Sequence, residues 1–101
     1  MLVLPVGEHH EPQSREVARQ ARAAALRIES EPADATLGAR IRRARERRIP
    51  YVAVIGDRES ASGAVALRLR DGRHLAGVGV DHLIAEISRQ VTTRAPDLGF
   101  A

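Results

Sequence analysis

The chain contains no cysteine and no lysine, and its aromatic residues are Tyr51 and Phe100 alone. Each absence excludes something. Without thiols there are no disulfides and no thiolate–zinc sites, and the chain suits a reducing cytosol. Without lysine there is no phosphate-loop lysine. Gly77-Val78-Gly79 lacks the third glycine and the strand-to-helix context of a dinucleotide fingerprint. Two aromatics cannot supply the rows of stacking rings on which many single-strand binders lay their bases. No apolar run approaches the length of a membrane span, and no signal-peptide pattern opens the chain, so a cytoplasmic location away from membranes is expected.

What is present fits a single domain of 101 residues with an Ala/Val/Leu/Ile core. The net charge is +3, and all 16 basic residues are arginine. Guanidinium groups are planar and bidentate, which suits phosphates and base edges. A GC-rich genome gives the same bias. The charge is concentrated: Ala39 to Arg48 holds six arginines and one glutamate, a local +5. Such a helix is either a solvated face or a phosphate-contacting one.

"LVLPV" at Leu2–Val6 reads as a short buried strand. Val17, Ala21 and Ala25 space an apolar stripe along a helix from about Pro12 to Leu26. "LRIES" alternates as a strand. "EPADATLG" is a loop with Asp34 and Thr36 as candidate N-caps for a second helix over 37–47. "YVAVI" fits a central strand covered on both sides. "AVALRLR" and "RHLAGVGV" flank Asp71-Gly72, a hairpin signal, and Asp81 opens a last helix. The order is β-α-β-α-β-β-β-α. The expected fold is α/β, with a mixed five-stranded sheet and three helices over residues 1–95, followed by a tail at 96–101.

His9 and His10 are adjacent; in an extended segment they point to opposite sides and cannot easily share a metal. No serine sits in a nucleophile motif, so no active site is expected on this chain alone. Glu59 and Arg68 differ, because both are expected at strand ends beside a Gly-led turn. A glutamate accepts from the paired donors of guanine, and an arginine donates twice to the acceptors of a base. A plain salt bridge is the simpler reading of the same spacing.

"RRIPYVAVIGDRE", "SGAVALRLRDG" and "VDHLIAEI", with "LPV" and "TLGARIR", together resemble the C-terminal anticodon-binding domain of class IIa aminoacyl-tRNA synthetases, nearest the threonyl branch. The resemblance runs from Leu2 to about Arg94. It implies a tRNA anticodon stem-loop as partner, with Glu59 and Arg68 on anticodon bases: the middle guanine and final uracil of a threonine anticodon. Asp34 and Thr36 belong to the loop that also meets the anticodon in that family, and Arg40, Arg43, Arg47 and Arg70 are expected on the RNA backbone. The loop departs from the family's usual Asp-Leu-Arg-Asn-Glu-Lys run: here it is "EPADAT", with Asp34 in place of asparagine, Ala33 in place of arginine and Thr36 in place of lysine. ATP, threonine and zinc would belong to a catalytic core that this chain does not hold, so no cofactor is expected on it. The chain is then an excised domain or a free-standing relative, with a synthetase catalytic domain as a second partner and room for a homodimer. Two rivals remain: a free-standing paralogue that docks on protein without reading an anticodon, and a small flavodoxin-like ligand-binding domain or enzyme.

Overall fold

The structure, a computed structural model, describes residues 1–93; the expected tail at 96–101 lies outside the described residues. Strands β1 (Leu2–Pro5), β2 (Glu29–Ser30), β3 (Tyr51–Ile55), β4 (Ala64–Leu69) and β5 (His74–Gly79) form one sheet in the order β2-β1-β3-β4-β5. The first three are parallel, and β4 and β5 add antiparallel pairs. Helices α1 (Glu11–Ala23), α2 (Leu37–Glu46), α3 (Asp57–Ser62) and α4 (Val80–Thr93) complete the fold, with a single 3-10 turn at Glu8–His10. The mixed five-stranded sheet is as expected. The helices number four among the described residues, because the Gly-Asp-Arg-Glu segment winds into α3 instead of turning directly into β4.

The placement of helices follows from handedness. The chain passes from β1 to β2 through α1, then back across β1 to β3 through α2. Right-handed crossovers running in opposite directions along a sheet put their helices on opposite faces. Val17, Ala18 and Ala21 of α1 therefore pack with Val3, Ala53 and Ile55, joined by Leu83 and Ile87 of α4. Ala44 of α2 packs with Leu2, Leu4, Val52 and Val54 on the other side. "YVAVI" thus alternates between two cores, which is why it is apolar throughout.

Face two is only half covered. Val52 pairs with Arg68, Val54 with Ala66, and Arg68 with His74. Directly opposite residues share a face, so beyond α2 the β4–β5 part of this face carries Ala66, Arg68 and His74. β5 places Ala76 and Gly77 opposite the single Ala66, a bulge that Gly77 accommodates at φ +65°. The turn between β4 and β5 is wider than the Asp71-Gly72 pair alone. It closes through Leu69 N–H to the Arg73 carbonyl (2.9 Å), and Asp71 accepts from the Arg73 N–H (3.0 Å).

α1 and α2 end alike. Ala25 N–H donates to Arg22 O and Leu26 N–H to Ala21 O; Arg48 N–H donates to Arg45 O and Ile49 N–H to Ala44 O. Both ends are Schellman turns, and the left-handed positions are Ala25 (φ 63°) and Arg48 (φ 56°). Glycine is the usual occupant, and a side chain there costs about 1 kcal/mol.

Arg40, expected on the RNA backbone, is instead completely buried. Its Nε donates to the Ala35 carbonyl (3.0 Å), Nη1 to that of Pro5 and Nη2 to that of Val6 (3.0 Å). It ties α2 and its preceding loop to the C-terminal end of β1 and presents nothing to a phosphate. Arg40→Ala should lower stability by about 3 kcal/mol in urea unfolding, from the void and the stranded carbonyls. Arg40→Lys should recover little of this, because one ammonium cannot serve three carbonyls in a plane.

Candidate nucleic-acid interface

Two loops leave the C-terminal ends of β1 and β3, and both are closed in the same way. The Gly7 N–H donates to Nδ1 of His10 (3.1 Å), and the Gly56 N–H donates to Oε1 of Glu59 (2.9 Å). In each case the third residue after a glycine reaches back to a donor that a helix start leaves unpaired. Glu59 is therefore half-buried and held by one oxygen, leaving Oε2 for another donor.

The loops are joined to one another. Asp57 Oδ1 lies 2.6 Å from His10 Nε2 and 3.1 Å from His9 Nε2. The expectation that the two histidines diverge is wrong: the 3-10 turn stacks their rings at 3.8 Å between centroids and aims both at one carboxylate. The Gly7 N–H on Nδ1 makes His10 the Nε2–H tautomer, so Nε2 donates to Asp57. A metal at Nε2 would have to shift that proton to Nδ1 and break the Gly7 contact. The trio is a hydrogen-bonded tie between β1 and β3.

In open α/β sheets ligands settle in the crevice where strand order reverses. Here that crevice lies between β1 and β3, and it is filled by the Arg40 guanidinium on Pro5 and Val6 and bridged by His10–Asp57. A flavodoxin-like site has no room at its usual position.

Arg68 does not sit beside Glu59. It pairs with Val52, three residues before the end of β3, so it lies about 10 Å along the sheet from the end where α3 departs. Its Nη1 is 3.0 Å from Nε2 of His74. A guanidinium is always the donor, so Nε2 of His74 accepts there.

The expected arginines separate by environment. Arg43 is paired with Asp34 (3.2 Å) and Glu31 (3.6 Å), and Arg47 with Glu29 (2.9 Å) and Glu31 (3.4 Å). Glu31 and Asp34, the acids of the "EPADAT" loop, thus lie against α2 and mask part of its charge. Thr36 Oγ1 caps α2 by accepting from the Ala39 N–H (3.2 Å), and the Ala33 N–H is held by Glu11 (3.2 Å). Arg45, Arg48 and Arg70 are exposed, and their guanidinium groups make no ion pair or hydrogen bond among the described residues. Arg45 and Arg48 stood apart from the expected set. Arg45, four residues after Ile41, lies on the same flank of α2, a helical-wheel signal present in the sequence, whereas Arg48 lies past the helix end and is placed by the left-handed turn.

Residues 1–90 match the family model described as "Anticodon binding domain". The chain belongs to this family. Among curated relatives, the threonine–tRNA ligase of Thermotoga maritima is 33% identical over 98 residues, covering 97% of this chain and 15% of the ligase. That of Streptomyces griseus is 34% identical over 91 residues, 90% of this chain and 14% of the ligase. The domain thus spans about one seventh of the curated relatives it matches. Among solved structures, the RNA binding domain of threonyl-tRNA synthetase from Cryptosporidium parvum Iowa II superposes with TM-score 0.81 at 26% identity, over 86% of this chain and 22% of that one. Histidyl-tRNA synthetase from Nostoc sp. PCC 7120 shares the fold at TM-score 0.79 and 24% identity, over 89% of this chain and 22% of that one. Among the described residues no helix is long and apolar enough to cross a membrane.

The hydrogen bond from His10, followed by that from His9, holds the Asp57 carboxyl below its ordinary value. A carboxylate whose folded pKa is depressed stabilises the fold above its unfolded pKa, and that stabilisation is lost as pH falls through the lowered value. Asp57→Asn should be less stable than the parent near pH 6. The gap should close as pH falls below the usual aspartate range, as read by denaturant midpoints across an acid series.

Proposed function

We propose that this domain binds the anticodon arm of a tRNA, of the threonine type, for a synthetase whose catalytic core lies elsewhere. The observation that carries the reading is the family match, together with Glu59 and Arg68 standing at the positions that the resemblance assigns to anticodon bases. Glu59 keeps one oxygen for its own loop and offers the other to a guanine edge. Arg68 stands on the uncovered part of the sheet, held by His74 until a base displaces it. The separation of the two side chains along the sheet suits contacts to different nucleotides. In this reading aminoacylation, ATP and threonine belong to the missing core, and this chain contributes affinity and position.

The acidic loop supports a second reading, a paralogue that docks on protein. Glu31 and Asp34 spend the charge of Arg43 and Arg47 internally, which weakens the pull on RNA.

Arg68→Ala should weaken binding of a threonine-anticodon stem-loop by about 1–3 kcal/mol in a fluorescence titration. Equal affinity of the two proteins would remove Arg68 from the interface. Glu59→Gln can still cap Gly56 through its carbonyl oxygen, so it should leave stability unchanged while costing more affinity for a middle guanine than for a middle adenine. Asp34→Asn should leave Arg43 with Glu31 as its remaining acid, raise affinity and steepen its salt dependence by up to about one counterion. If the parent and Asp34→Asn both fail to bind at near-physiological salt, protein docking becomes the better account.

A further inference from the structure

A cleft of about 250 Å³ opens between the C-terminal end of α2 and the β4–β5 turn. Ile41, Ile49 and Val52 give it an apolar floor. Arg45, Arg48 and Arg70 stand around it with no partner among the described residues, and Arg68 borders it. Asp71 is the one carboxylate in its lining, and it is spent on Arg73 (2.8 Å). The volume falls just below the range of about 300–1,000 Å³ that buries a drug-sized ligand. It suits one heterocycle, with charge around it for the phosphates on either side.

We infer that this cleft seats a single unstacked nucleotide of the bound RNA, adjacent to the base held by Arg68, with Arg45, Arg48 and Arg70 on its flanking phosphates. The inference rests on the anticodon-binding reading above and adds a subsite to it. No Phe, Tyr or Trp lines the cleft, so its aliphatic floor is the main apolar surface for the base, with the His74 ring, held by Arg68, at its border. The negative end of the α2 dipole faces the same region and opposes a phosphate by about half a charge. Three free guanidiniums outweigh it.

Arg48 supplies an independent sign. It occupies the left-handed position of a Schellman turn, where glycine would remove the strain, and it lines the cleft with no ion pair or side-chain hydrogen bond among the described residues. Ala25 occupies the equivalent position on α1, away from the cleft lining. The two sites share one backbone constraint and differ in what the side chain can reach.

The test uses the full chain and a fluorescein-labelled threonine-anticodon stem-loop. Ala25→Gly and Arg48→Gly should each raise the thermal midpoint by roughly 4 °C. Ala25→Gly should bind as the parent does. Arg48→Gly should bind roughly 3- to 10-fold more weakly, with a salt slope shallower by about one unit. A series of stem-loops, each with one loop nucleotide made abasic, locates the base. One position should weaken the parent and lose that effect in the Arg45→Gln/Arg70→Gln variant. Parent-like affinity and salt slope in both Arg48→Gly and the double variant would overturn the subsite. Weakened binding with no such coupling at any abasic position would overturn the seated base. Failure of the parent itself to bind would overturn the anticodon-binding reading and the subsite with it, an outcome told apart from the others by the protein in which it occurs.

Discussion

A buried guanidinium without a countercharge organises this domain. Removing an ion from water is expensive, and Arg40 meets that cost with three carbonyl dipoles at one point. Two of those carbonyls belong to Pro5, the last residue of β1, and to Val6 just after it, and the third to the loop that leads into α2. The angle at which α2 lies on the sheet, and the plugging of the crevice between β1 and β3, both depend on it. The His10–Asp57 bond closes the same end from the other side. An α/β sheet that could have kept a ligand crevice at its strand ends is sealed there.

Sealing that end leaves the exposed half of the second sheet face as the open surface. α2 covers β1 and part of β3, and nothing among the described helices continues the layer over β4 and β5. Arg68 and His74 stand on that uncovered area, and the cleft borders it. The architecture therefore leaves the part of one face beyond α2 without a covering helix among the described residues, while α1 and α4 bury the other face completely enough to carry the core.

Charge is partitioned by the same geometry. Of six arginines close together in sequence, five have three fates: Arg40 is entombed, Arg43 and Arg47 are paired with acids of the strand and loop before α2, and Arg45 and Arg48 face the cleft. The remaining one, Arg42, is exposed. A cluster worth +5 on paper acts on a partner through far fewer charges, and the acidic character of "EPADAT" has a direct mechanical consequence in that subtraction.

The periodicities of the chain determined the order of the strands along the sequence, the central place of "YVAVI" and the approximate span of α2, and they narrowed its cap to Asp34 or Thr36, because these depend on contacts a few residues apart. The Pro-Tyr strand, the Gly-Asp-x-Glu turn and the Arg-x-Arg hairpin in that order, with the motifs on either side, were enough together to point to the anticodon-binding family. Only the tertiary structure decided that Asp57–Ser62 winds into a helix, that His9 and His10 converge on one carboxylate, and that Glu59 and Arg68 sit well apart along the sheet. It alone decided the fate of each arginine. A residue type states what a side chain can bond to, but which partner it meets is set by crossover handedness and strand register. Those join positions such as Pro5 and Arg40 that lie 35 residues apart in the chain.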